Sequence, residues 1–159
     1  MMKKIIEVLK VALVVAVGGV VIEHLLGKST KQKSAKVDKF KGYYNMLNQW
    51  LILRQKGETL EKYFRDNGFK TIAIYGMGEM GNRLYDELCN TEIEVKYAID
   101  KAVGSHFFSE LDVRDIDSAL DEVDAVIVTA TFAFDEISEK LENRINCPII
   151  SLNDVVFES

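Results

Sequence analysis

A run of apolar and β-branched residues passes directly into a glycine-rich turn near the middle of the chain. Residues 71–84, TIAIYGMGEMGNRL, indicate a strand, the pattern G-x-G-x-x-G and the start of a helix. In such a turn Gly76 permits the tight bend, Gly78 leaves no Cβ between backbone and phosphate, and Gly81 lets the helix pack closely on its strand. The helix N-terminus offers N–H groups and a positive dipole end to an anion. The segment predicts a nucleotide-binding turn, with a purely structural strand-to-helix turn as the alternative.

An acidic residue follows the next predicted strand. Residues Glu94 to Ile99 indicate that strand, and Asp100 comes nineteen positions after Gly81. A carboxylate at this position can accept hydrogen bonds from both ribose hydroxyls of an adenine nucleotide. Asp100 therefore favours an unphosphorylated ribose, as in NAD, whereas the adjacent Lys101 could tolerate the 2′-phosphate of NADP.

The predicted cofactor-binding residues lie at the glycine turn and at the ends of the second and fourth predicted strands. They are Gly76, Met77, Gly78, Glu79, Met80, Gly81, Asp100, Lys101, Thr129, Ala130 and Thr131. The expected cofactor is NAD, and NADP or a nucleotide sugar is the alternative. No metal site is predicted, because His24 and His106 have no metal-like spacing to other ligand types.

The rest of the C-terminal part alternates between strand and helix patterns. The predicted elements are a helix from Glu79 to Leu88, a short strand at Val113, a short helix from Ile116 to Leu120, a strand from Asp124 to Ala130, a helix from Phe134 to Ile145 and a strand from Pro148 to Ser151. Such alternation predicts an α/β, Rossmann-like parallel sheet of five strands in the order 3-2-1-4-5. On the first crossover helix, Asp86 and Glu87 are expected to stay in water.

An apolar segment occupies residues 1–27, and its core, residues 5–26, is long enough to cross a bilayer. Three interpretations compete: a single-pass membrane anchor, a helix buried against protein, and a cleaved signal peptide. Residues 28–36 are small, polar and basic, as in a flexible linker. Six lysines between positions 28 and 41 follow the apolar segment, against three before it, so an anchored C-terminal domain would face the cytoplasm.

Residues 37–67 are predicted to form a helical brace or lid on the sheet, or a dimer surface. Apolar residues recur at three- and four-residue steps and predict one apolar helix face: Phe40, Tyr43, Tyr44, Leu47, Trp50, Leu51 and Leu53. Thr59 is expected to cap a second short helix through Phe64. Residues 68–159 then constitute the Rossmann-like nucleotide-binding domain.

The composition agrees with a folded domain and argues against a nucleic-acid partner. The 159 residues are 48% hydrophobic and 28% charged, which is enough apolar material to bury a core. A formal net charge of −5 gives no basic surface for a phosphate backbone. The expected partners are a small nucleotide, a membrane through residues 5–26, and a second copy or a protein of polysaccharide biosynthesis.

Three stretches resemble a known family. Residues 74–81, IYGMGEMG, residues 97–101, YAIDK, and residues 128–131, VTAT, resemble the Rossmann domains of bacterial polysaccharide-biosynthesis proteins, including nucleotide-sugar dehydratases and sugar O-acyltransferases. Residues 130–137 also resemble the C-terminal domain of sugar C-methyltransferases. The resemblance implies a nucleotide-binding fold from about Gly68 to Phe157 and carries no catalytic residue over.

Three functional hypotheses follow. The first is an accessory or sensing module that binds NAD(H) or a nucleotide sugar, is linked to envelope polysaccharide biosynthesis and has no self-contained active site. The second is a small NAD-dependent oxidoreductase or sugar-modifying enzyme completed by another chain, with Thr129, Thr131 or His106 as acid or base. A Tyr-x-x-x-Lys pattern occurs at Tyr97 and Lys101, but on a strand these side chains do not meet as they do on a helix. The third is a structural adaptor without ligand.

Overall fold

The computed structural model describes residues 33–101 and 111–159. The chain divides into two units between Tyr43 and Tyr44. Helix α1 covers residues 33–55, of which 33–43 belong to the first unit and 44–55 to the second. The remaining elements of the second unit are α2 (Glu61–Asp66), β1 (Thr71–Tyr75), α3 (Glu79–Leu88), β2 (Glu94–Ile99), β3 (Val113–Arg114), β4 (Ala125–Val128), a 3₁₀ turn (Thr131–Ala133), α4 (Phe134–Leu141), β5 (Ile149–Ser151) and α5 (Leu152–Glu158).

The five strands form one parallel sheet in the order β3-β2-β1-β4-β5, which confirms the predicted fold. β1 lies at the centre, where Ile74 pairs with Ala98 of β2 on one side and with Ile127 of β4 on the other. The connection from β1 to β2 and the connection from β4 to β5 run toward opposite edges of the sheet. Right-handed connections therefore place α3 and α4 on opposite faces of the sheet.

Alternate residues of the strands supply the two apolar faces of the sheet. One face packs against Ile137 and Leu141 of α4, and it is formed by Ala73, Tyr97, Ile99, Val126 and Val128. The residues between them, including Ile72, Ile74 and Ile127, are fully buried and point to the other face. Because both faces are covered, β4 is a continuous apolar run, as expected of a central parallel strand.

Several element boundaries differ from the sequence predictions. The helix predicted over Ile116–Leu120 is wrong, because that stretch forms turns, with Asp115 accepting a 2.9 Å hydrogen bond from the N–H of Asp117. Helix α4 ends at Leu141 rather than Ile145. The C-terminal helix α5 was not predicted; Ser151 caps it by accepting a hydrogen bond from the N–H of Asn153.

The apolar side of helix α1 that the sequence predicts is only partly buried in the second unit. Met46, Trp50 and Leu53 are buried in the second unit. Tyr44, Leu47 and Leu51 belong to the same helix and are exposed. Three- and four-residue spacing identifies apolar positions on a helix but does not tell which of them face the core.

Glu87 connects α1 and α2 to α3, so its predicted place in water is wrong. Its carboxylate accepts hydrogen bonds from Trp50 Nε1 at 2.6 Å and from the N–H of Leu60 at 2.8 Å. The side chain is 10% exposed, and Arg54 lies 3.7 Å from it. Leu60 rather than Thr59 is the N-cap of α2, and its own side chain makes no capping hydrogen bond.

The N-terminal predictions fall largely outside the described residues. Residues 1–32 hold the proposed anchor and most of the predicted linker, and the structure does not describe them. Residues 33–36, the end of that linker, are helical. Within the two described ranges, no helix combines the length and apolar character needed to cross a membrane.

Candidate functional site

The glycine turn follows β1 at the carboxyl edge of the sheet. Gly76 has a φ of +93°, a conformation that residues with a Cβ rarely adopt. Its N–H donates a 2.8 Å hydrogen bond to the carbonyl of Ile99, the last residue of β2. A Cβ at Gly76 would lie 2.9 Å from Thr129 Oγ1. Both the backbone angle and the neighbouring side chain therefore require glycine at this position.

Gly81 allows α3 to start directly against the turn. A Cβ built on Gly81 would lie 2.2 Å from the carbonyl oxygen of Gly76, a distance that no atoms of this kind tolerate. The helix and the end of β1 are in backbone contact at this point. The third glycine of the pattern thus has the packing role that the sequence predicted for it.

Gly78 differs from the other two glycines because the space beside it is open. A Cβ at this position would meet nothing within 4 Å. Gly78 is the N-cap residue of α3, and among the described residues no side chain makes a capping hydrogen bond there. Leading N–H groups of a helix carry partial positive charge and need a partner. The turn can accept an anion above Gly78 without displacing a side chain.

Asp100 lies next to the turn, in contact with its backbone. Its carboxylate Oδ2 accepts a 2.6 Å hydrogen bond from the N–H of Met77, between the first two glycines. The backbone N–H of Asp100 in turn donates to the carbonyl of Arg114 in β3. Asp100 is half-buried. The end of β2 and the glycine turn therefore form one hydrogen-bonded group.

Thr129 closes the turn from the side of β4. The residue is buried at 4% exposure, and its hydroxyl donates a 2.7 Å hydrogen bond to the carbonyl of Gly76. The N–H of Thr129 donates to the carbonyl of Tyr75. The hydroxyl is thus engaged with the backbone of the turn. Ala130 and Thr131 follow at the start of the 3₁₀ turn and are half-buried.

The predicted residues divide into those that the structure brings together and those at the margin. Gly76, Met77, Gly78, Gly81, Asp100 and Thr129 are connected by the contacts above. Glu79 and Met80 form the first turn of α3, where Glu79 is exposed and Met80 half-buried. Lys101 is exposed after Asp100, and His106 lies outside the described residues.

Tyr75 is a residue near the site that the sequence reasoning did not select. Burial raises the pKa of its phenol. The carboxylates of Asp100, Glu136 and Asp115 also raise this pKa, whereas Lys140 lowers it. Glu136 and Lys140 form an ion pair of 2.5 Å on α4. In the sequence, only its position could have identified Tyr75, since it directly precedes Gly76 at the end of a central strand. The carboxyl edge thus carries charged groups beyond Asp100.

The Tyr-x-x-x-Lys match does not form a catalytic pair. Tyr97 is fully buried, and its hydroxyl donates a 2.8 Å hydrogen bond to the carbonyl of Asp121. The guanidinium of Arg114 lies 4.5 Å from the centre of its ring and forms ion pairs with Asp112 and Asp121. The hydroxyl of Tyr97 therefore has a structural partner away from Lys101.

Metal-binding side chains do not converge in the part of the chain that the structure describes. Across residues 33–101 and 111–159, no three or more of His, Cys, Asp and Glu form a group that could hold a metal ion. The donors gathered around the glycine turn are backbone amides, which suit an anion rather than a cation.

Comparison with known proteins gives no relative for this chain. No protein-family model, no curated protein and no solved structure matches it. The functional assignment therefore depends on the geometry of the site and on the motifs of the sequence.

Proposed function

We propose that the second unit is a nucleotide-binding module whose glycine turn holds the diphosphate of NAD(H) or of a nucleotide sugar. In this proposal the module has an accessory or sensing role beside envelope polysaccharide biosynthesis. It contains no self-contained active site. Residues 5–26 hold it at the membrane, with the domain on the cytoplasmic side.

The observation that carries the proposal is the open, uncapped start of α3 at Gly78. Nothing lies within 4 Å of the position where a Cβ would be. Gly76 and Gly81 lie too close to their surroundings for a side chain, and the N–H groups of Gly76 and Met77 are hydrogen-bonded to Ile99 and Asp100. The amides of the turn are thus held in place by the fold, and a diphosphate can approach them closely.

Asp100 supports a nucleoside next to that diphosphate. Its contact with the N–H of Met77 holds the carboxylate beside the turn, at the tip of the neighbouring strand. A carboxylate has acceptor sites for several donors, so this bond is compatible with hydrogen bonds from ribose hydroxyls. The same charge opposes a 2′-phosphate, which favours NAD(H) over NADP(H).

A binding role is preferred to catalysis because the acid or base candidates are poorly suited. The hydroxyl of Thr129 is buried and donates to the backbone of the turn. Thr131 lies in the 3₁₀ turn, and none of the hydrogen bonds or ion pairs described joins its hydroxyl to a charged group. His106 belongs to the residues that the structure does not describe. The link to polysaccharide biosynthesis depends on the family resemblance of the sequence motifs.

The proposal is tested by identifying and then removing the bound nucleotide. Full-length protein is purified in mild detergent, denatured, and the released small molecules are identified by mass spectrometry. We expect a compound with a nucleoside diphosphate group. The same compound is then titrated by calorimetry into wild type, Gly78→Val and Gly42→Val.

The two glycine variants separate binding from general damage. Both positions have open space for a Cβ, but only Gly78 lies in the turn. Binding should be lost in Gly78→Val and unchanged in Gly42→Val. Equal affinity of wild type and Gly78→Val for every nucleotide tested would refute the proposal, and so would a released ligand without a phosphate group.

A further inference from the structure

Part of the apolar side of α1 is uncovered in the second unit. It is formed by Tyr44, Leu47 and Leu51, here called the outer face, whose exposed fractions are 68%, 39% and 55%. The adjoining part of the helix surface is already used, since Met46, Trp50 and Leu53 are buried. One helix therefore packs on its own domain and presents a separate set of apolar side chains to solvent.

The spacing along the outer face is that of a helix that pairs with another helix. Tyr44, Leu47 and Leu51 follow at steps of three and four, which corresponds to alternating a and d positions of a heptad. In the first unit, the helical residues Val37 and Phe40 extend the same spacing toward the N-terminus and are 63% and 70% exposed. A regular a/d pattern is typical of a helix-to-helix seam rather than of scattered surface leucines.

Charged residues are nearly absent from this part of the helix. Among residues 44–55 only Arg54 is charged, although 28% of the whole chain is. Arg54 lies 3.7 Å from the carboxylate of Glu87, which already compensates it. Depletion of charge is the compositional feature of the centre of a protein interface. Residues 44–55 also lack the lysines that an anionic lipid surface would require along the polar side of the helix, since the lysines of α1 lie between positions 33 and 41.

A groove beside the outer face is lined by pairs of oppositely charged side chains. It is lined by Leu47, Trp50, Leu51 and Arg54 of α1 and by Arg83, Asp86 and Glu87 of α3. Arg83 and Asp86 form an ion pair of 3.2 Å, and their side chains are 67% and 59% exposed. A rim with balanced charges selects neither an acidic nor a basic partner. It is complementary to itself, because a twofold axis can place Arg83 of one copy opposite Asp86 of the other.

We propose that the outer face binds the outer face of a second copy of this chain, so that the protein is a homodimer joined through α1. Tyr44, Leu47 and Leu51 form the apolar centre of the interface. The paired charges of α3 form its rim. This inference is independent of the nucleotide site, because none of its residues belongs to the glycine turn.

Cysteine crosslinking in the full-length chain tests the proposal without removing the N-terminal segment. Tyr44→Cys, Leu47→Cys and Leu51→Cys are made one at a time in a Cys89→Ser background, because Cys89 is exposed and would react itself. Cells expressing each variant are treated with a short, membrane-permeable bismaleimide. Asn45→Cys is the matched control, as Asn45 is exposed on the same helix but lies outside the a/d positions.

We expect a covalent homodimer, identified by its intact mass, from at least one outer-face variant and only background from Asn45→Cys. Pairing raises the local concentration of the two thiols to about the millimolar range, so crosslinking should be fast and independent of expression level. Adding Leu47→Lys to a crosslinking Tyr44→Cys or Leu51→Cys variant, or Tyr44→Lys to a crosslinking Leu47→Cys variant, should return it to background.

Three results would overturn the proposal. One is the absence of crosslinking at all three positions, and another is equal crosslinking at Asn45. The third is a product in which the chain is joined to a different protein, which would identify the outer face as a site for another partner. Cooperative unfolding followed by the fluorescence of Trp50, the single tryptophan, reports whether Leu47→Lys keeps the fold.

Discussion

Glu87 of α3 accepts a 2.6 Å hydrogen bond from the indole nitrogen of Trp50 in α1. The same carboxylate accepts the N–H of Leu60, the N-cap of α2, so one side chain joins three helices. Both donors are polar groups at the edge of the core, and neither has another hydrogen bond described for it. One acid therefore links α1 and α2 to α3 by hydrogen bonds, in addition to the buried apolar side chains of these helices.

Replacing Glu87 by alanine should destabilise the second unit by about 2–4 kcal/mol, because two partly buried N–H groups lose their acceptor. Urea unfolding followed by the fluorescence of Trp50, the single tryptophan of the chain, measures this change directly. Asp86→Ala is the control, since Asp86 is exposed one position earlier on the helix, and it should change stability by less than about 0.5 kcal/mol. Equal effects of the two substitutions would contradict the bridging role.

Gly81→Ala should also destabilise the protein, by about 1–3 kcal/mol, because the added methyl group meets the carbonyl of Gly76 and forces helix and strand apart. Gly42→Ala provides the comparison in a helix with open space and should gain up to about 1 kcal/mol. Thermal or denaturant unfolding of both variants distinguishes the two cases. A Gly81→Ala protein as stable as Gly42→Ala would show that α3 is less tightly packed on β1 than the structure has it.

Asp124 should make stability depend on pH on the acid side. The backbone N–H groups of Thr71 and Lys70 lower the pKa of its carboxyl below the ordinary value of 3.8. Because the unfolded chain binds the proton more tightly, the stabilisation is complete above pH 3.8 and is lost as the pH falls through the lower folded-state pKa.

Free energies of unfolding measured between neutral and acid pH check this expectation for Asp124. Asp124→Asn should lose less stability over that interval than wild type, since the amide cannot be protonated there. Thr71→Val removes the hydroxyl, which donates to the Asp124 carboxylate at 3.0 Å and accepts from the N–H of Asp124 at 3.2 Å, but it keeps both backbone donors and should keep most of the pH dependence. Parallel curves for wild type and Asp124→Asn would exclude the carboxyl as a source of acid sensitivity.

Asp100→Ser should weaken the binding of NAD more than that of NADP, because it removes both an acceptor for the ribose and a charge that repels a 2′-phosphate. Calorimetric titration of both dinucleotides into wild type and variant gives the ratio of affinities. Lys101→Ser is the neighbouring control and should not favour NADP. A uniform loss of both ligands in Asp100→Ser would mean that Asp100 only holds the N–H of Met77.

The fold could be predicted because its signals are local and repeated. The β1–α3 unit follows from an apolar run, three glycines and a helical pattern, and the bounds Glu79–Leu88 agree with the prediction. β4 could be recognised from its uninterrupted apolar run. Parallel topology then follows from the alternation of elements, since right-handed crossovers leave few arrangements.

What could not be predicted depends on contacts between residues distant in the sequence. A glutamate on a helix is usually exposed to solvent. Glu87 is a partly buried acceptor only because Trp50, 37 residues away in the sequence, packs next to it in the fold. Asp100 could be predicted at the site, but its bond to Met77 could not, because that requires the exact register of β1 and β2. The division of the apolar side of α1 into a buried and an exposed part has the same origin.

The hydrogen bond between Met77 and Asp100 has a kinetic consequence. If the turn binds the proposed nucleotide, turn and acid are already held together before the ligand arrives, and little conformational ordering would accompany association. Association would then approach the docking of two rigid bodies, and differences among ligands would be expressed mainly in their dissociation rates.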